Sequence, residues 1–168
     1  MSATKIPPLP STFNRLAWSN LAAQSAEQIA LAAAPIVAVL LLGVGEGQTG
    51  LLQTALTLPF ILFAIPAGLL ADRISRRWLM AGAEGFRAAA LAGILLLIWL
   101  GLMTLPLLAL LGFIAVCGTV VYSVAAPALV PSLVAPPQLP AANARIELAR
   151  TVAFASGPAL GEIGRAHV

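Results

Sequence analysis

Apolar residues run through the chain in long stretches that are interrupted only by short polar or glycine- and proline-rich segments. Because a helix needs about 20 mostly apolar residues to cross a bilayer core, stretches of this length predict membrane-spanning helices. The stretches that fit are residues 16–42, 50–71, 78–102, 105–126 and 141–161. The pattern therefore predicts an all-α membrane protein with about five transmembrane helices.

Turn-forming residues separate these stretches. Residues 43–50 are rich in glycine and polar side chains, and residues 101–106 end in Pro106, which suits a helix start. Residues 127–140 contain five prolines, so we expect a longer connection there and no continuous helix. Residues 1–15 have prolines where a signal peptide has its apolar region, and we expect them to form a cytoplasmic N-terminal segment.

Basic residues near the ends of the spans are confined to alternate connections. The connections 43–50 and 101–106 contain neither lysine nor arginine, whereas the other flanks carry Lys5, Arg15, Arg73, Arg76, Arg77 and Arg145. Basic connections remain in the cytoplasm. The distribution predicts a cytoplasmic N-terminus and a cytoplasmic connection between the second and third spans.

Composition strengthens this interpretation and narrows the functional classes. The chain is 60% hydrophobic and 9% charged, with a mean hydropathy of +0.98, whereas soluble domains carry about 25% charged residues. The net charge of +3 comes from bases between apolar stretches, which suits anionic lipid and topology signals better than nucleic acid. Cys117 is the single cysteine, so an intrachain disulfide is excluded and a small core residue is expected.

The densest charge in the chain lies in residues 68–78, GLLADRISRRW, which carry Asp72, Arg73, Arg76 and Arg77. Gly68 would allow a close approach between helices. Asp72 could pair with a basic residue or cap the next helix. The arginines could also be simple cytoplasmic anchors.

This stretch resembles the signature loop of the major facilitator superfamily, a G-x-L-a-D-r-x-G-r-r pattern between the second and third spans. The matching residues are Gly68, Leu70, Asp72, Arg73, Arg76 and Arg77. Ser75 stands where the family usually has glycine, which affects the turn geometry. The resemblance implies a partial N-terminal six-helix half of that fold. It also implies a loop that latches the two transporter halves, with Asp72 as the acidic member and the arginines as the basic members.

Residues 139–161 are similar to the fifth-span region of the drug- and siderophore-exporter branch of the superfamily. An Ala-Asn pair is followed by a glycine-proline element that resembles an antiporter motif, formed by Gly157, Pro158 and Gly161. The start of the first span, Asn14 to Leu16 with Trp18, also resembles that branch. Over residues 13–161, the resemblance implies alternating access and export driven by proton exchange.

Polar side chains inside the predicted spans are candidates for the transport pathway, because buried membrane charges usually face the bundle interior or a wet cavity. Gln24, Glu27 and Gln28 share one face of the first span and could line a cavity or form an interhelical hydrogen bond. Among them, Glu27 is the candidate proton-coupling carboxylate.

Two further pairs of charged residues are spaced so that their side chains can meet on one helix. Glu84 and Arg87 are spaced i, i+3 on the third span, and Arg150 follows Glu147 at the same spacing on the fifth. Glu84, Arg87 and Arg150 are therefore candidates for the substrate or proton pathway. The alternative is that these long side chains extend to the cytoplasmic interface.

Residues 162–168, EIGRAHV, depart from the family pattern, which has a second glycine at position 162 and more apolar residues after it. One codon choice for this segment, GAG-ATC-GGA-AGA-GCA-CAC-GTC, contains a common sequencing-adapter sequence. We therefore expect a non-native, adapter-derived tail on a truncated reading frame, with a natural divergent terminus as the alternative. No functional role is assigned to His167.

The predicted function is secondary active transport, namely proton-coupled export of a drug- or siderophore-like small molecule across a bacterial inner membrane. The expected partners are the bilayer, the substrate, a proton and the missing C-terminal half of the same transporter, without which the chain should be inactive. Alternatives are a lipid or lysolipid flippase of the same superfamily and a non-transporting multi-pass membrane protein. An enzyme is not expected: an intramembrane protease of the rhomboid kind would need a histidine within the membrane, and the only histidine, His167, lies in the tail. No ATP-binding loop, cofactor or metal cluster and no nucleic-acid partner is predicted.

Overall fold

The computed structural model describes residues 9–165, and the side chains of residues 9–155. Its main helices are α1 (Ser11–Ile36), α2 (Glu46–Arg73), α3 (Arg76–Trp99), α4 (Leu105–Leu133) and α5 (Leu139–Arg165). A π-helical turn, Val37–Leu41, continues α1, and a 3₁₀ turn, Pro136–Gln138, precedes α5. This part of the chain contains no strand, which confirms the predicted all-α class.

Four of these helices are long and apolar enough to cross a membrane: α1 with its π-helical turn, α2, α3 and α4. They correspond to the first four predicted spans. In the part of α5 whose side chains are described, the charged residues are Arg145, Glu147 and Arg150. Within the described residues α5 is not among the membrane-length apolar helices, so the fifth span stays a prediction.

Glycines end two helices where the sequence predicts turns. Gly43 and Gly101 both have positive φ angles, +63° and +67°, which residues other than glycine rarely adopt. The first turn is shorter than expected, because α2 begins at Glu46, whose carboxylate is favourable near a helix N-terminus. Helix α1 also begins earlier than predicted, at Ser11 directly after Pro10, so residues 11–15 are helical.

The proline-rich segment is more helical than its composition predicts. Helix α4 continues through Pro127 and Pro131 to Leu133, so the expectation of a long connection over residues 127–140 is wrong in extent. Each proline removes one backbone donor, and membrane helices tolerate this loss when neighbouring groups compensate. The true break is short: Val134 and Ala135, then the 3₁₀ turn, where the Gln138 Oε1 atom accepts a hydrogen bond from the Ala135 N–H at 3.0 Å.

The chain forms two compact units, and one of them comprises residues 30–125. Its core joins the end of α1, α2, α4 and the turn before α4, through Ala38, Leu52, Leu56, Ala67, Met103, Leu108, Val116 and Val120. The rings of Phe63 and Phe113 meet edge to face at 6.2 Å between α2 and α4. Helix α3 contributes a buried stripe made of Met80, Ala83, Arg87 and Ala90.

The other unit comprises residues 1–29 together with residues 126–168. In its described part, the first half of α1 buries Phe13, Leu16, Asn20 and Ala23, a helical stripe of one face. The end of α4 buries Ala126 and Val130, and α5 buries Ala142 and Ala153. Alanine and valine dominate the buried positions of these last two helices, which favours close helix packing.

Candidate functional site

The charged stretch 68–78 is almost entirely helical. Helix α2 keeps its hydrogen bonds to the end, since the Ile74 N–H still donates to the Leu70 carbonyl at 3.0 Å. Ile74 is extended, with φ −112° and ψ 150°, and α3 begins at Arg76 after Ser75. Only Ile74 and Ser75 separate the two helices, so the charges lie on helix ends and not on a long loop.

This geometry overturns two expectations for the stretch. Asp72 lies inside α2, and the residue before α3 is Ser75, whose side chain makes no capping hydrogen bond, so Asp72 is not a cap. Gly68 has open space around it: a Cβ added there would meet no heavy atom within 4 Å. The close helix approach expected at Gly68 is therefore absent among the described residues.

Three of the four charges of this stretch oppose the helix dipoles. Asp72, Arg73 and Arg77 are exposed, and Arg76 is half-buried. A base is favoured near a helix C-terminus and an acid near an N-terminus, by about 0.3–1 kcal/mol each. Arg73 fits this rule. Asp72 in the last turn of α2 and the two arginines in the first turn of α3 do not fit it. Helix stability therefore does not explain three of the four charges.

An ion pair lies on the membrane-length helix α3, as its spacing predicts. The Arg87 Nη2 atom is 2.9 Å from the Glu84 Oε2 atom. Arg87 is only 6% exposed and Glu84 is half-buried. The predicted pairing is therefore present, and the position of this ion pair relative to the cytoplasmic interface stays a prediction.

Helix α4 approaches this part of α3 at Gly118. A Cβ added there would lie 2.6 Å from the Ala83 carbonyl oxygen and 3.3 Å from the Arg87 Cβ atom. Glycine at this position allows α4 to approach the backbone of α3 closely, next to the base of the Arg87 side chain. The pairing leaves Glu84 Oε1 buried without a hydrogen-bond partner in the structure.

The polar face of α1 is present as predicted from its spacing. Gln24, Glu27 and Gln28 lie in one continuous helix, and all three are half-buried. Glu27 engages in a polar or electrostatic interaction. The sequence missed the buried Asn20, which lies on α1 one turn before Gln24 and extends the polar character of this helix.

Arg150 does not pair with Glu147. Its guanidinium carbon lies 5.8 Å from the centre of the Phe154 ring, one turn further along α5. Arg150 remains exposed. The Glu147 carbonyl instead accepts a hydrogen bond from the Thr151 hydroxyl at 2.9 Å. The backbone of α5 continues through Gly157, Pro158 and Gly161. The surroundings of these three residues, and those of the predicted tail 162–168, lie outside the described part of the structure.

A contact that the sequence did not suggest joins α1 and α5. The Arg145 Nη1 atom donates a hydrogen bond to the Asn14 Oδ1 atom at 3.3 Å. The two residues lie 131 positions apart in the chain, so the spacing along one helix could not have indicated this contact. A groove of about 350 Å³ lies beside it, lined by Asn14, Ala17, Trp18, Leu21, Arg145, Leu148, Ala149 and Val152.

Within the described residues, four membrane-length apolar helices, with charge concentrated where α2 ends and α3 begins, define a multi-pass membrane protein. The family model described as transmembrane secretion effector, a family of the major facilitator superfamily, matches residues 4–168, and the chain belongs to this family of membrane transporters. This match confirms the resemblance noted from residues 68–78. No curated protein and no solved structure is significantly similar to the chain.

Proposed function

We propose that the chain is the N-terminal part of a secondary active exporter that moves a small molecule out of the cell by alternating access, in exchange for protons. The observation that carries the proposal is the set of four charges at the end of α2 and the start of α3, three of which oppose their helix dipoles. Charges retained against local helix stability suit contacts made in only one transport state. Membership of the transmembrane secretion effector family supports this role.

In the proposed mechanism, Asp72 and the neighbouring arginines form charge-assisted contacts with the second half of the transporter. These contacts hold one conformation, and their release allows the halves to rock about a site near the membrane midplane. The N-terminus and residues 68–78 face the cytoplasm of a bacterial cell, in keeping with the alternate distribution of basic residues.

The latch is tested by the substitution Asp72→Asn in the complete transporter, reconstituted in proteoliposomes with an imposed pH gradient. We expect efflux of a fluorescent lipophilic cation to fall about tenfold, the value of one lost charge-assisted contact. Glu46→Gln is the matched control, because Glu46 is also an exposed acid at an end of α2. Equal efflux by the Asp72→Asn variant and the unmodified transporter would contradict the latch.

We propose Glu27 as the proton-coupling carboxylate, supported by its half-buried position on the polar face of α1. A carboxylate that binds and releases a proton during each cycle couples transport to the pH gradient. Glu27→Gln, which cannot ionise, should leave substrate binding measurable and abolish the response of efflux to the imposed gradient. Retention of the normal pH dependence would exclude Glu27 as the coupling site, and Glu46→Gln again serves as the control.

A further inference from the structure

We propose that the groove between α1 and α5 binds an anionic phospholipid of the cytoplasmic leaflet, with Arg145 recognising the phosphate. The groove lies within one compact unit and involves the first half of α1 and the described part of α5. Its volume of about 350 Å³ falls within the range of small-molecule sites. The proposal is independent of substrate and proton coupling, and it uses the proposed orientation only to choose the leaflet.

The groove changes from polar to apolar along its length. Asn14 and Arg145 form its polar end, near the beginnings of their helices. Leu21 and Val152 each lie seven residues further along the same helices (21 − 14 and 152 − 145), which is about 10 Å at 1.5 Å per residue. A ligand that fills this groove must therefore be charged at one end and apolar at the other.

The polar end suits an anion at a membrane surface. Asn14 accepts one hydrogen bond from Arg145, and this contact orients the guanidinium, whose remaining N–H groups are available to a phosphate. Trp18, which is 72% exposed, lies in the same groove. Tryptophan and arginine together are the residues that membrane proteins place at the headgroup level.

The apolar end suits an acyl chain. Leu148 and Val152 are exposed large apolar residues, and Ala17 and Ala149 are small enough to leave the groove open. Contact of these apolar surfaces with water is unfavourable, whereas an acyl chain in the groove would cover them. Charge complementarity at one end and apolar lining at the other favour a phospholipid over a small soluble anion.

The test uses Trp18 as a local reporter. Replacing Trp78 and Trp99, both exposed, by phenylalanine leaves Trp18 as the only tryptophan of the chain. The purified chain is placed in lipid nanodiscs that contain increasing fractions of dibrominated phosphatidylglycerol or dibrominated phosphatidylcholine. We expect half-maximal quenching of Trp18 fluorescence at about a tenfold lower fraction of phosphatidylglycerol, the ratio typical of a charge-assisted contact.

Three variants make the test specific. Arg145→Gln should abolish the preference for phosphatidylglycerol, whereas Arg15→Gln should retain it, because Arg15 is an exposed neighbour of Asn14 that does not line the groove. Ala149→Leu keeps the charge but fills the groove, and it should reduce quenching by both lipids. Circular dichroism checks that each variant remains helical.

Three results would overturn the proposal. Equal quenching by both lipids would show an apolar surface without headgroup recognition. Equal losses in the Arg145→Gln and Arg15→Gln variants would show general surface charge. Relief of the phosphatidylglycerol quenching by soluble glycerol phosphate at a comparable concentration would identify a small anion as the ligand, because it would show that the apolar end contributes nothing.

Discussion

At the residue scale, Gly118 decides how closely α4 approaches α3. A Cβ atom at Gly118 would lie only 2.6 Å from the Ala83 carbonyl oxygen. A backbone carbonyl cannot rotate away as the tip of a side chain can. Gly112 offers a contrast, since the clash there is with the Cδ2 atom of Leu56, the far end of a flexible side chain. Backbone contact makes Gly118 the more demanding of the two positions.

We expect Gly118→Ala to lower the free energy of unfolding in detergent micelles by about 1–3 kcal/mol, the usual effect of overpacking. Gly82→Ala is the matched control. Its added Cβ meets nothing within 4 Å, so only the better helix propensity of alanine acts and stability should rise by about 0.5–1 kcal/mol. Changes of the same sign in the two variants would contradict the close approach at Gly118.

The ion pair between Glu84 and Arg87 lies close to the same contact, since a Cβ at Gly118 would be 3.3 Å from the Arg87 Cβ atom. Arg87→Met leaves the half-buried carboxylate without its donor, which should cost about 1–3 kcal/mol of unfolding free energy. Glu84→Gln leaves the buried Arg87 guanidinium without its counter-ion and should cost at least as much. A double-mutant cycle should give a coupling energy of about 0.5–3 kcal/mol, whereas additivity within about 0.5 kcal/mol would show that the pair contributes nothing.

At the element scale, helix α4 persists where its composition predicts a break. Pro127 and Pro131 each remove one hydrogen bond, but they do not prevent the following residues from donating within the helix. The hydroxyl of Ser132 also donates to the Leu129 carbonyl at 2.7 Å. The helix therefore ends at Leu133, immediately before Val134 and the 3₁₀ turn.

Amide hydrogen exchange in detergent distinguishes the helix from a loose connection. The backbone N–H groups of Leu129, Val130 and Leu133 should exchange slowly, because they lie in the helical part of α4. The N–H group of Leu102, in the turn before α4, bonds to the Leu97 carbonyl and provides a reference for protection by a single turn contact. Exchange of the α4 amides faster than that of Leu102 would show that the helix ends near Pro127.

At the scale of the whole molecule, the distribution of basic residues makes a prediction about orientation. Ser75, between α2 and α3, should face the cytoplasm, and Gly47, at the start of α2, should face the other side. Both positions are exposed and uncharged, so a cysteine there leaves the basic pattern unchanged.

In a Cys117→Ser background, a membrane-impermeant maleimide applied to intact cells should label Gly47→Cys and not Ser75→Cys. Ser75→Cys should become reactive once the membrane is permeabilised. Labelling of Ser75→Cys in intact cells would reverse the proposed orientation. The native Cys117 must be removed first because it is half-buried within α4 and unpaired by any disulfide.

Properties that depend on a short stretch of chain could be predicted from the residues alone. Long apolar stretches predicted the four membrane-length helices, the glycines at positions 43 and 101 predicted turns, and i, i+3 spacing predicted the ion pair of Glu84 with Arg87. Residues 68–78 were enough to indicate the superfamily, which the family match confirms.

Features that depend on a second helix became apparent from the folded chain. Arg87 is buried, and α4 approaches it at Gly118, a contact that nothing near Arg87 in the sequence indicates. Arg145 meets Asn14 because α1 and α5 lie side by side in one unit, which creates the groove between them. Local spacing predicts which groups one helix brings together, whereas burial and grooves arise from the packing of distant segments.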